Sequence, residues 1–163
     1  MLVMLLALVS ELPSEFKDFN SWPEAWGARY KQSIQVATLC RAPIQSYLPE
    51  PHGDKWSMVR GNSLARASLA KAGNRTFPVG AVLVKEKFDA PAGGKATLLT
   101  AMVKRKPGFN PKVGDWEFFA VDLGKKIQIA RDKQGSCMSC HQNVAPSGFV
   151  FTISGKVPRV WLP

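Results

Sequence analysis

Gly80-Ala81-Val82-Leu83-Val84-Lys85-Glu86-Lys87-Phe88 is the stretch on which the fold turns. It is rich in β-branched and apolar residues and reads as a strand, closed by the turn-forming run Ala90-Pro91-Ala92-Gly93-Gly94. Three more strands follow, from Thr97 to Lys104, Asp115 to Asp122 and Ile127 to Arg131. A loop at Pro107-Gly108-Phe109-Asn110-Pro111 and a turn at Gly124-Lys125 separate them. Strands this close together, with short connections, imply an antiparallel meander. Period-two alternation sets Lys85 on the face of Ala81 and Leu83, with Val82 and Val84 opposite, and leaves the burial of Lys85 open.

Upstream of the meander the pattern is mixed. Asn62 can cap a helix running from Ser63 to about Ala72, with Leu64, Ala65, Leu69 and Ala72 near one face, and Gly73 and Asn74 stop it. Trp56 to Val59 reads as a short strand, Pro43 to Gly53 as a loop, and Ile34 to Cys40 as a further strand. Residues 11–27, with Pro13, Trp22, Pro23 and Trp26, read as one or two irregular helical turns. The run Met1 to Ser10 is almost wholly apolar but too short to span a bilayer. It reads either as a secretory leader that lacks its basic front end or as a buried N-terminal element. The expectation is therefore a leader over 1–10 and one α+β domain over 11–163. That domain is a β-dominated antiparallel sheet with a few short helices packed on it and a helix around Cys137.

The chain has 163 residues, 45% of them hydrophobic, enough for one compact core. Its formal net charge is +10, from 22 Lys and Arg against 12 Asp and Glu. These cations are scattered, apart from short clusters such as Lys104-Arg105-Lys106, and no finger, arm or RNA-binding signature accompanies them. A solvated basic surface is expected rather than a nucleic-acid interface. Such a surface can steer anions or an acidic redox partner toward the protein.

The chemistry is concentrated in Cys137-Met138-Ser139-Cys140-His141, which fits the five-residue haem-attachment pattern. Residues three apart lie on the same side of a helical turn. Both thiols can then add to the vinyl groups of one porphyrin, while His141 offers its imidazole to the iron. A zinc site needs four ligands, and the motif supplies three, which Cys40 or His52 would have to complete. A thioredoxin-like redox pair expects a βαβ context, and a plain disulfide leaves His141 unexplained. Haem c, held through Cys137 and Cys140 with His141 as proximal iron ligand, is the reading adopted. Cys40 reads as a buried thiol. No Met or His follows His141, and neither Met58, Met102 nor His52 has the context of a second axial ligand, so a five-coordinate iron with an open side is expected. The strands from Gly80 to Arg131 exclude a four-helix cytochrome.

Four further segments accompany this motif in order: Phe77 to Glu86, Met102 to Pro111, Gly114 to Phe119, and Phe149-Val150-Phe151. Together with Ser136 to His141 they resemble the cytochrome P-460 family over roughly half of the chain. His52-Gly53-Asp54-Lys55-Trp56 is similar to members of that family as well. The resemblance implies a β-rich c-type haem protein, exported to the periplasm or beyond and homodimeric. It would act on or bind a small nitrogen species, either by oxidising hydroxylamine and passing electrons to a redox protein, or by capturing nitric oxide without turnover as the cytochromes c′-beta do. An electron carrier is a third reading, disfavoured because no sixth ligand stands out. It also implies that Lys85 occupies the position from which hydroxylamine-oxidising members bond a lysine to the porphyrin edge. The alternative there is an ordinary strand lysine. Thr100 falls near the place where those members carry a distal acid, and it cannot act as a base at neutral pH. Glu86 and Glu117 are near in sequence but not placed by periodicity. Phe77, Phe88 and Met102 are candidates to line the haem pocket.

Overall fold

The computed structural model describes residues 12–25, 30–31, 56–71, 74–124, 127–132 and 136–151. Its centre is a six-stranded antiparallel meander in strand order β1 to β6. The strands are β1 (Tyr30–Lys31), β2 (Trp56–Gly61), β3 (Val82–Phe88), β4 (Leu98–Lys104), β5 (Trp116–Asp122) and β6 (Ile127–Asp132). Each pairs with its sequence neighbour, and from β3 onward that is what short connections between β-branched and apolar runs favour. A register shift between Ala120 and Val121 interrupts the β5–β6 ladder. The α+β, β-dominated class expected from the sequence is what the structure has. The expected strand over Ile34 to Cys40, the leader, Cys40 and His52 lie outside the described residues.

Alternation divides the sheet cleanly. On one face Val59, Leu83, Met102, Trp116 and Phe118 join a core completed by Ala65 and Leu69 of helix α1 (Ser63–Leu69) and by Phe77, Val113, Met138 and Val150. On the other face Val82, Val84, Leu99, Ala101, Val103, Phe119 and Val121 pack against Phe16 and Phe19 of the N-terminal segment. The rings of Phe16 and Phe119 meet edge to face, with centroids 5.2 Å apart. Both faces of β3 are therefore covered, and only Lys85 along that strand is partly exposed.

Asn62 caps α1 as its side chain predicts. Its Oδ1 accepts from the Ala65 N–H at 3.0 Å and from the Val82 N–H at 3.1 Å, and its Nδ2 donates to the Gly80 carbonyl at 2.8 Å. One side chain thus ties the helix start to the start of β3. The helix ends at Leu69, so it has an inner stripe only at Ala65, Ser68 and Leu69. Leu64, expected on that stripe, is instead 42% exposed. With two turns of helix the buried arc is narrow, about 100° from Ser68 to Leu69, and Leu64 lies about 40° beyond its Ser68 edge.

The two acids left unplaced by the sequence sit on the face away from Lys85. Glu86 pairs with Arg60 at 3.0 Å. Glu117 shares Arg105 with Glu15 of the N-terminal segment, which clips that segment to the sheet.

Candidate functional site

Helix α2 (Ser136–Gln142) lies on the same side of the sheet as Leu83 and Phe118. The loop before β5 positions it. Asn110 Nδ2 lies 3.3 Å from Met138 Sδ, and the 3-10 turn Pro111–Val113 packs against the helix. That loop is braced internally, since the Asn110 N–H donates to Asp115 Oδ1 at 2.9 Å and the Asp115 N–H returns a bond to the Asn110 carbonyl at 2.8 Å.

Cys137 and Cys140 fall one helical turn apart on α2 and face inward together. Cys140 is 5% exposed and Cys137 is partly buried against the core. Neither is in a disulfide. Nor do Cys137, Cys140 and His141 converge on a point, as the ligands of one zinc ion must; among the described residues no three His, Cys, Asp or Glu side chains do. Two inward thiols at this spacing, followed at once by an imidazole, form a donor set suited to a porphyrin.

His141 is held more firmly than its sequence position alone would suggest. Its ring sits between Phe118 and Phe151, with centroids 5.0 Å and 5.1 Å away. Its Nδ1 is 2.6 Å from the Phe149 carbonyl. A carbonyl can only accept, so Nδ1 carries the proton and Nε2 keeps a lone pair for a metal. Burial pushes the imidazole pKa down to about 4, opposed by the Phe149 carbonyl and reinforced by the charge of Lys85. The ring is therefore neutral at ordinary pH, the form that ligates iron.

The Phe149 carbonyl is aimed by an unusual backbone. After α2 the chain makes a 3-10 turn at Ala145–Ser147, then Gly148 and Phe149 both adopt left-handed conformations, at φ 68° and 64°. A non-glycine residue in that region is uncommon and needs support. The Phe149 N–H donates to the Val144 carbonyl at 3.1 Å, and the Phe149 ring lies on Gly114, where a Cβ would come within 2.5 Å of it. The Gly148 carbonyl accepts from Trp116 Nε1 at 2.9 Å. The strand β5 and the turn before it thus fix the carbonyl that orients His141.

Lys85 projects from the same face. The pairing sets it between Val59 and Thr100, with Ala120 beyond. Lys85 and His141 lie on the same side of the sheet, His141 through its contact with Phe118, two residues from Ala120. Lys85, Thr100 and Met102 are each partly exposed, whereas Leu99, Ala101 and Val103 on the opposite face of β4 are all buried. The face beside His141 is thus a half-covered strip of aliphatic and hydroxyl character, which fits a large flat apolar group lying against it. Met102 belongs to this strip. Phe77 is on the same side but packs edge to face on Trp116 at 5.2 Å and touches the Gly148 turn, supporting the His141 loop. Phe88 is on the other face by alternation and has no place beside Lys85. Lys87 was not singled out by the sequence, yet it shares the face of Lys85 and is 1% exposed. Phe118, Phe149 and Gly114 also went unassigned. Phe149 and Gly114 act through a carbonyl and an absent Cβ, which leave no side-chain signature.

An antiparallel meander carrying a Cys-Met-Ser-Cys-His helix on one face, with a neutral imidazole offering Nε2, defines a protein of the c-type haem class. The chain belongs to the Cytochrome P460 family, whose sequence model matches residues 28–152. That match extends well upstream of Phe77 and takes in His52 to Trp56. A search of curated proteins finds no match.

Proposed function

We propose that the chain binds one haem c through thioether bonds from Cys137 and Cys140, with His141 Nε2 on the iron, and that it oxidises hydroxylamine. The observation that carries this reading is that Lys85 and His141 share one half-covered face of the sheet. A strand lysine with a purely solvating role would point away from the core. Here it belongs to the strip that a porphyrin would cover, on the side of the sheet that carries the residue that would hold the iron. A bond from its amine to the macrocycle would perturb the haem electronically. The bound haem supplies an iron centre that accepts a nitrogen ligand and relays its electrons. The chain's own contributions are the covalent anchors, the His141 orientation set by Phe149, and Lys85 at the porphyrin edge. Export to an oxidising compartment and a homodimeric state belong to the same proposal.

A second reading, reversible nitric oxide binding without turnover, draws support from Thr100. It stands directly opposite Lys85 where an acid would serve as proton acceptor, and both Glu86 and Glu117 are paired with arginines on the far face. Two measurements separate the readings. Peptide mass spectrometry of holoprotein should find Lys85 attached to haem, and steady-state assays with hydroxylamine and an artificial acceptor should show turnover. An unmodified Lys85 together with no turnover would replace the enzyme reading by gas binding.

A further inference from the structure

The exposed side of α2 is uncharged, while the ground around it is not. Ser139, Gln142 and Asn143 are exposed and neutral, and so are Ala145 and Pro146 beyond them. On one flank stands Arg75, partly exposed, whose N–H donates to the Pro146 carbonyl at 3.3 Å and whose Nε donates to the Lys71 carbonyl at 3.3 Å. Lys71 is itself exposed. On the other flank the 3-10 turn that packs on α2 carries exposed Lys112, and exposed Lys106 lies at the start of the same loop, where its carbonyl accepts from the Phe109 N–H.

Most of the described acids are elsewhere. Glu15, Asp18 and Glu24 belong to the N-terminal segment, Glu86 and Glu117 are on the face that segment covers, and Asp89 and Asp122 lie at the opposite ends of β3 and β5. Asp115 and Asp132 are nearer: the Asp115 carboxylate is engaged by the Asn110 N–H within the loop, and Asp132 ends β6, opposite Phe118 in register and just before α2. Four described cations, Lys71, Arg75, Lys106 and Lys112, thus stand about one neutral patch. Of the two thiols, Cys137 is the less deeply buried.

We propose that this patch, rimmed by Lys71, Arg75, Lys106 and Lys112, is the docking site for an acidic electron-accepting protein. The inference rests on the haem reading above but not on the identity of the substrate. A neutral centre with a charged rim is the arrangement in which close approach costs little desolvation while the rim steers encounter. Steering of this kind raises association rates by about tenfold to a thousandfold and fades with salt.

The test uses holoprotein reduced chemically, so that hydroxylamine is not involved, and follows its reoxidation by stopped flow. The acceptors are an acidic plastocyanin, a basic cytochrome c and a neutral quinone. Reoxidation by plastocyanin should slow by about tenfold or more between low and high ionic strength. Arg75→Glu with Lys112→Glu should slow it by a similar factor at low salt, accelerate the reaction with cytochrome c, and leave the quinone rate unchanged. Lys17→Glu with Lys95→Glu, the same change in net charge at exposed positions away from α2, should alter these rates far less. Equal effects of the two pairs, or none from the first, would overturn the docking site while leaving the haem reading intact. Protein purified without haem from cells competent in cytochrome maturation would overturn both.

Discussion

Gly114→Ala should weaken the protein and loosen its grip on His141. Gly114 has φ 58°, and a left-handed residue bearing a Cβ costs about 1–2 kcal/mol. The added Cβ would also stand 2.5 Å and 2.6 Å from Cε2 and Cδ2 of Phe149, so one of the two must shift. Forcing a methyl into packed surroundings costs a further ~1–3 kcal/mol. The sum, about 2–5 kcal/mol, is a large share of the roughly 5–15 kcal/mol that stabilises a domain. Relief comes through Phe149, because its ring is only partly buried and its backbone already occupies an uncommon conformation. Any such movement displaces the carbonyl that holds Nδ1 of His141. Urea unfolding should therefore show a loss in this range. Resonance Raman of ferrous holoprotein should show the iron–histidine stretch at lower frequency, since a weaker Nδ1–H···O bond makes the imidazole a poorer donor. Phe149→Ala in the same chain should recover part of the stability loss, so the two changes combine less than additively. A loss within about 0.5 kcal/mol with an unmoved stretch would refute the coupling of Gly114 to His141 through Phe149.

Other consequences are smaller in scale. Asn62→Ala removes the cap of α1 and the link to Gly80 and Val82, and should lower stability by about 0.5–2 kcal/mol in chemical denaturation. Asn62→Asp keeps the acceptor and should lose less. The Glu15 carboxyl is partly buried, which alone would raise its pKa, yet the Arg105 guanidinium holds it below its ordinary value of 4.5. Its contribution to stability is therefore complete above pH 4.5 and is lost as pH falls through the depressed value. Trp22, packed with Phe16 and Phe19, should report release of the N-terminal segment in that acid range by fluorescence. In Glu15→Gln the same signal should lose part of its pH dependence, and an unchanged titration would remove the Arg105 clip from the account.

Much of this architecture was legible from local pattern because strands leave a period of two. Val82 and Val84 alternate with Leu83 and Lys85, and that alone put Lys85 on the face of Leu83, while the structure shows that α2 packs on that face. Asn62 before an apolar helical run likewise announced a cap. Other features depend on which elements meet in space. Leu64 was misplaced because a short helix buries a narrow arc. Glu86 and Glu117 could be assigned to a face only once the register of β3 and β5 was known. Phe88 was a candidate beside Lys85 until alternation put it opposite. In the site itself, the Cys-Met-Ser-Cys-His run was readable because its spacing is its chemistry. The device that sets His141 was not, since it consists of a backbone carbonyl, a left-handed phenylalanine and a glycine contributed from about thirty residues upstream.

The most direct test is the pyridine haemochrome spectrum of holoprotein after denaturation and acidified-acetone extraction, compared with that of Cys137→Ala/Cys140→Ala. Haem that stays with the wild-type polypeptide and is extracted from the variant is the predicted result. Wild-type chains that surrender all of their haem, or that mature with the two sulfurs joined to each other, would contradict it.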